Sequence, residues 1–151
     1  MSRSRGAEDP LQEAVAVFTR ARYAREPARF VEHTRRAAAA LLESVLKAAG
    51  EAGYEVRADP QGQRFIKRPG DVAGLLRISS DNTGIHLAYF QLGEWKVVAD
   101  PKLEYDPAKG LFVGAMTDES RYPMPGSSRQ PPRMSAATTV AIAIVAAFDR
   151  G

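Results

Sequence analysis

Apolar side chains recur at spacings of three and four over the first third of the chain, as in helices with one buried face. Pro10 suits the first turn of a helix, where its missing N–H costs no hydrogen bond, and we predict a helix over residues 10–24. Pro27 opens a longer predicted helix over residues 27–50, which Gly50 and Gly53 bring to an end. The apolar stripe of the first helix consists of Leu11, Val15, Phe18 and Tyr23.

The apolar period falls toward two between residues 54 and 115, and turn residues appear about every 8–12 positions, which predicts antiparallel strands. Turn sequences lie at 59–62, 81–84 and 106–110, and Gly110 is expected to take the left-handed position of a hairpin turn. The connections are too short for the crossovers that parallel strands need. The predicted strands are 54–58, 63–68, 73–79, 84–91, 94–99, 103–105 and 111–115.

The last part of the chain begins with a proline-rich stretch at 122–133, where proline density excludes regular structure and favours a connecting loop. Ser135 is a good N-cap for a predicted helix over residues 136–149. That segment is apolar on nearly every side, so we expect the helix to be buried. Its β-branched residues make a strand the alternative, but its alanines and the capping serine favour a helix.

These elements predict an α+β fold, a two-layer sandwich in which an antiparallel β-meander of five to seven strands is packed on one face by the long N-terminal helix and the C-terminal helix. We expect residues 1–9 to be a disordered tail and residues 10–151 to form a single domain. The order of elements is similar to that of small bacterial adaptor, immunity and secretion-chaperone domains. That similarity is one of topology without a shared motif.

Composition narrows the function classes. Hydrophobic residues make up 44% and charged residues 26% of the 151 residues, as is usual for a globular chain, and there are no cysteines. Disulfides, thiolate metal sites and cysteine nucleophiles are therefore excluded. The first residues carry positive charge without an apolar stretch after it, so we expect no secretory signal there. The longest apolar stretch is shorter than the roughly 20 residues of a membrane span. We expect a cytoplasmic protein without membrane contact.

The two histidines of the chain, His33 and His86, suggest neither a metal site nor a catalytic site. Metal sites usually need three or four ligands, and no carboxylate lies at a convincing spacing to either histidine. Phosphate-binding glycine motifs are missing as well, so no cofactor is expected. Four acids could in principle be paired for catalysis, but all flank turns, which favour acids anyway. They are Asp100, Glu104, Asp106 and Asp118.

Basic residues form the candidate interaction surface. One group lies around the junction of the first two helices and comprises Arg20, Arg22, Arg25 and Arg29. A second group, Arg64, Arg68 and Arg77, alternates along the strands. If these three share a sheet face with His86, Phe90 and Lys96, that face would be basic with an aromatic side chain, as in single-strand nucleic-acid binders. The simpler interpretation is a polar outer sheet face opposite the helices.

Trp95, the only tryptophan, follows the tight connection at Gly93 and could anchor a partner, although a core position is the favoured interpretation. With no catalytic, metal or cofactor motif, the leading hypothesis is a non-enzymatic protein-binding module, with another protein or a second copy of the chain as its partner. Nucleic-acid association through the arginines is the first alternative. A small-molecule-binding or enzymatic cavity between sheet and helices is the second.

Overall fold

The computed structural model describes residues 10–70, 74–115 and 134–150, and it confirms the three helices. They are α1 (Pro10–Arg25), α2 (Pro27–Glu51) and α3 (Ala136–Arg150). Pro27 occupies the first turn of α2, as predicted. Ser135 caps α3, because its Oγ accepts a hydrogen bond of 3.2 Å from the backbone N–H of Thr138.

Seven strands follow α2 in the predicted order. They are β1 (Glu55–Ala58), β2 (Arg64–Lys67), β3 (Leu75–Asp81), β4 (Gly84–Gln91), β5 (Glu94–Val97), β6 (Leu103–Asp106) and β7 (Leu111–Gly114). The first five form one sheet in the order β1-β2-β3-β4-β5, with every neighbouring pair antiparallel. The antiparallel meander and the α+β class are therefore confirmed.

The predicted turns are held by aspartates. Asp59 Oδ1 accepts hydrogen bonds from the backbone N–H groups of Gln61 and Gln63, at 3.0 and 2.8 Å. Gly110 has a φ of 70° and donates its N–H to the carbonyl oxygen of Asp106 at 2.8 Å. Both turns therefore use the side-chain and glycine chemistry that the sequence indicated.

The last two strands, β6 and β7, form a separate hairpin rather than a continuation of the sheet. Two residues explain the break. Pro101 has no N–H for a ladder, and the carboxylate of Asp100 accepts the Leu87 N–H at 2.9 Å, a donor on β4 beyond the last β4–β5 pair. The hairpin packs beneath the helices through Phe112, which clusters with Ala38 of α2 and Ala136 of α3.

The core lies between the five-stranded sheet and helices α2 and α3. Phe148 of α3 is the largest fully buried side chain among the described residues, and its ring meets that of Tyr89 on β4 edge to face, with centroids 5.8 Å apart. Strands β1 to β4 contribute alternate residues to this face, as a half-buried antiparallel sheet requires. They are Val56, Ile66, Leu76, Ile78, Ile85, Leu87 and Tyr89.

One expectation about the helices is wrong: helix α3 is not buried on all sides, since Ile142 is 54% and Val145 45% exposed. The reason is geometrical, because a helix lying on one face of a single sheet can bury only the side that meets the sheet and its neighbours. The apolar stripe of α1 stays outside the core: α1 has no buried residue, and Phe18 is 76% exposed.

Three predictions lie outside the described residues. They are the disordered tail at 1–9, the proline-rich loop at 122–133 and the acid Asp118.

Candidate functional site

The strand register determines which side chains share the sheet face turned away from α2 and α3, called the outer face below. Arg77 on β3 lies opposite Phe65 on β2 and Ala88 on β4. Phe90 on β4 lies opposite Trp95 on β5. Because paired residues point to the same side of a sheet, all five belong to the outer face.

Three aromatic rings and one guanidinium form a continuous cluster on this face, called the aromatic patch: Phe65, Arg77, Phe90 and Trp95. The Trp95 ring is stacked near Phe65 at 6.3 Å between centroids and lies 5.0 Å from Phe90. The guanidinium carbon of Arg77 lies 4.6 Å from the centroid of the same indole. Such a distance is typical of a cation–π interaction.

Trp95 was expected in the core, and the structure overturns that interpretation. The residue is 41% exposed and sits on the short strand β5, whose four residues are all exposed. Its neighbour on the same face, Val97, is 92% exposed. The aromatic patch thus continues into apolar surface at the edge of the sheet.

Leu92 adjoins the aromatic patch in the two-residue turn between β4 and β5. It has a φ of 54° and is the one non-glycine residue with positive φ in the described parts of the chain. With Gly93 at 83°, both turn residues have positive φ, as in a type I′ turn, where asparagine followed by glycine is preferred. A well-exposed leucine at this position is both strained and apolar.

Charged side chains of β1 and β2 lie along one side of the patch. Arg57 and Lys67 share the outer face with Phe65, and Glu55 lies opposite Lys67. Hydrogen bonding from Arg57 lowers the pKa of Glu55, with a smaller effect from the charge of Lys67. This half of the outer face therefore carries three cations, with Arg77, against one carboxylate.

The structure does not bring the predicted strand arginines together. Arg64 shares the helix-facing side with Ile66 and binds Glu43 of α2 with both terminal nitrogens, at 2.7 and 3.0 Å. Arg68 lies 5.5 Å from the ring centroid of Phe148 and 3.7 Å from the Asp149 carboxylate. Only Arg77 faces outward with Phe90, and Lys96 points to the side opposite Trp95.

The helix arginines are spread around the α1–α2 junction. Arg22 and Arg29 both form ion pairs with Glu26, at 3.5 and 3.0 Å, so a single acid pairs with two of the four helix arginines. Arg20 lines a groove with Tyr23, Phe30 and Tyr105, and Arg25 is exposed at the end of α1. The cluster is thus a solvated helix surface with short-range ion pairs.

His86 lies on the outer face beside the β3–β4 turn, between two carboxylates. Its Nε2 is 2.9 Å from Asp81 and its Nδ1 is 2.7 Å from Asp100. The hydrogen bond with Asp100 is the main cause of a raised His86 pKa, and Asp81 adds to it. The Thr83 hydroxyl, with further help from His86, lowers the pKa of Asp81 to about 2.

This histidine cluster resembles the nucleophile–base–acid arrangement of hydrolases only in part. The Thr83 hydroxyl is 3.0 Å from His86 Nε2, but it is also 2.6 Å from Asp81 Oδ1, which is the better acceptor. Asp81 also accepts the backbone N–H of Thr83 at 2.8 Å, as is usual in turns. The arrangement therefore fastens the hairpin and the Asp100 segment to β4.

The other histidine and the remaining acids take structural positions. His33 Nδ1 is 2.6 Å from the Tyr23 hydroxyl, which joins α1 to α2. Burial, together with a hydrogen bond to Tyr23, raises the pKa of Tyr105. Asp106 accepts two N–H groups of its own turn, and Glu104 is exposed on β6.

Sequence reasoning missed Phe65, Leu92 and Val97 on the outer face and the pairing of His86 with Asp81 and Asp100. A leucine before glycine in a two-residue hairpin turn was a usable signal for Leu92, since asparagine is the common choice there. The His86–Asp100 contact joins residues 14 positions apart and had no local signal.

Comparison with known proteins gives no assignment: no family model matches the chain, and neither curated proteins nor solved structures include a match. Among the residues the structure describes, no three His, Asp or Glu side chains are grouped so that they could hold a metal ion. None of the helices in these ranges has both the length and the apolar character needed to cross a membrane.

Proposed function

We propose that this chain is a non-enzymatic protein-binding module that binds its partner through the outer face of the five-stranded sheet. The observation that carries the proposal is the aromatic patch, in which an exposed tryptophan is packed between an arginine and two phenylalanines. Tryptophan and arginine are enriched among the few residues that supply most of the binding energy of protein interfaces.

The turn residue Leu92 supports the same surface. An L-residue in the left-handed region costs about 1 kcal/mol or more, and an exposed leucine gains no burial in return. Strain at a position that asparagine or glycine would relieve is typical of sites kept for function. Contact with a partner would bury Leu92 together with Trp95 and Val97.

Charge indicates the kind of partner surface. Arg57 and Lys67 border the patch on one side and Arg77 belongs to it, while Glu55 is the single acid on that half. A complementary partner presents an apolar centre with carboxylates toward β1–β3, because opposite potentials favour encounter and fix orientation.

Nucleic-acid association is the alternative, and two features weigh against it. The Trp95 ring already carries the Arg77 guanidinium on one face, where a base would stack. Arg64 and Arg68 lie on the helix side and are engaged with Glu43 and Asp149, so they do not add to the outer face.

A small-molecule or enzymatic cavity between the sheet and helices has less support. The middle of that space is filled by buried side chains such as Phe148, Leu76 and Ile78. A groove of about 440 Å³ at its edge, beside Leu42 and Arg64, is open to solvent and does not enclose a ligand. A role as an adaptor, immunity or secretion-chaperone domain in the cytoplasm is compatible with the binding proposal and rests on element order and composition alone.

The test is affinity capture of partners from a native extract on the immobilised full chain, with bound proteins identified by mass spectrometry. Trp95→Ala is compared with Phe18→Ala, a matched control because Phe18 is an exposed aromatic residue on α1. Circular dichroism checks that both variants are folded.

We expect a stoichiometric protein that is captured by the native chain and Phe18→Ala, survives nuclease treatment and is lost with Trp95→Ala. Recovery of no protein that depends on Trp95 would overturn the proposal. Binding to oligonucleotides with a log–log salt slope near −0.7 per phosphate, abolished by the same variant, would establish the alternative instead.

A further inference from the structure

Another open surface among the described residues is the side of α3 turned away from the core. Core contacts use Val140, Ile144 and Phe148, while Ile142 and Val145 lie on the exposed side. Asp149 is the one charged residue whose side chain the structure describes on that exposed side of α3. Surface helices normally carry charged residues on the solvent side, so this face has the composition of a buried one.

The exposed side of α3 also has the shape of a helix-packing surface. A shallow depression of about 450 Å³ is lined by side chains at helical spacings of three and four. A second depression of about 320 Å³, almost wholly apolar, lies beside it between α2 and α3 and shares Ala141 and Val145 with the first. Four residues at such spacings form the hole that receives a side chain from a facing helix. The first depression is lined by Thr138, Ala141, Ile142, Val145, Ala146 and Asp149.

We propose that this face binds a second copy of the chain, with α3 packed antiparallel against α3 of the other copy about a two-fold axis at Ile142. A two-fold interface places the same patch on both copies, so it must be complementary to itself. An uncharged centre meets that demand, because no like charges face each other at Ile142 and Val145.

The ends of α3 support the antiparallel direction. Ser135 and Asp149 lie seven residues before and after Ile142, so the axis brings Asp149 of one copy near the N-terminus of α3 in the other. A carboxylate near a helix N-terminus is favourable because of the helix dipole. Arg68 of the same copy lies 3.7 Å from Asp149 and partly neutralises its negative charge, which lowers the cost of placing that carboxylate in an interface.

The area of the exposed α3 face sets the size of the interface that two copies could form. A 15-residue helix is about 22 Å long, and with the adjoining side of α2 the face is about 20 Å wide. The product is on the order of 450 Å² per copy, below the roughly 800 Å² of a standard interface. We therefore expect a weak, reversible dimer rather than a permanent one.

The test is sedimentation velocity on the full chain from about 5 to about 500 µM, a range that spans weak self-association. The native chain is expected to pass from a monomer of 16.4 kDa toward twice that mass. Ile142→Glu should remain monomeric throughout, because two carboxylates would meet at the axis. Phe18→Glu is the matched control on α1 and should associate like the native chain.

A second measurement locates the contact. Since the chain has no cysteine, Ile142→Cys provides a single thiol per copy, and a short bismaleimide should join two copies. Phe18→Cys should not be joined under the same conditions. A native chain that stays monomeric at the highest concentration overturns the proposal, as does a dimer that Ile142→Glu leaves intact while its circular dichroism shows a native fold.

Discussion

Arg77 and Trp95 are in contact although their strands, β3 and β5, do not pair with each other. Between them on the outer face lies Ala88 of β4, whose short side chain leaves room for the indole to lie across the sheet. The contact therefore fastens the edge strand β5 to the centre of the sheet. At an exposed site a cation–π interaction contributes about 0.5–1 kcal/mol.

Replacing Arg77 with alanine should keep the fold and expose the tryptophan. We expect Arg77→Ala to lower the free energy of unfolding by about 1 kcal/mol. Acrylamide should quench Trp95 more strongly in the variant, because no side chain covers that face of the ring. Arg20→Ala on α1 serves as the control, and equal quenching in both variants would show that Arg77 does not cover Trp95.

Replacing Leu92 with asparagine should stabilise the protein. Asparagine tolerates the left-handed conformation that Leu92 adopts and is preferred before glycine in this turn, so we expect a gain of about 1 kcal/mol. Leu92→Ala removes the same apolar surface but keeps the strain, and it should give no gain. Urea denaturation followed by Trp95 fluorescence measures both, and an equal effect of the two variants would contradict the strain argument.

The protein's secondary structure follows from local sequence signals, whereas the faces of its strands do not. Alternation placed Arg64 and Arg68 on one side of β2 and its extension, but two adjacent apolar residues, Phe65 and Ile66, left open which side was buried. The helices decide that question by packing on Ile66, and no local pattern encodes where they dock.

The site was only partly predictable for the same reason. Phe90, Trp95 and Arg77 were identified as candidates from residue type, and the structure brings these three together. Phe65 joins them from β2, which is distant in sequence, so its role depends on strand order. The helix arginines lie on no strand, so strand pairing does not bring them to the outer face. They form a separate surface at the α1–α2 junction.

The His86 cluster should make stability depend on pH in two directions. The His86 pKa is raised in the folded state, so its contribution is present below about pH 6.5 and is lost as pH rises through the folded value. The Asp81 pKa is lowered to about 2, so its contribution is present above about pH 4 and is lost as pH falls toward 2.

The stabilisation that His86 provides should therefore be largest between about pH 4 and pH 6.5. We expect the difference in unfolding free energy between the native chain and His86→Gln to be greater at about pH 5.5 than at about pH 2.5 or pH 8.5. Urea denaturation at the three values measures it. A difference that does not vary with pH would show that His86 is not held by its two carboxylates when folded.

Truncation of Phe148 should be among the most damaging single changes. The side chain is fully buried against Tyr89 and Tyr54, and its removal leaves a cavity, so Phe148→Ala should cost about 3–5 kcal/mol. Phe18→Ala makes the same chemical change at an exposed position and should stay within about 0.5 kcal/mol. Thermal and urea denaturation compare the two, and similar losses would contradict the placement of these side chains.

A two-layer fold has two outer surfaces, one on the sheet and one on the helices, and here both carry exposed apolar side chains. In a single copy, the outer face of the sheet with Trp95 and the exposed side of α3 point in opposite directions. Two copies joined through α3 would carry their tryptophans on the far ends of the pair, pointing away from each other. Such a pair is divalent, so it would bind two separate ligands, one at each end. It would also dissociate from a multivalent target far more slowly than a single copy does.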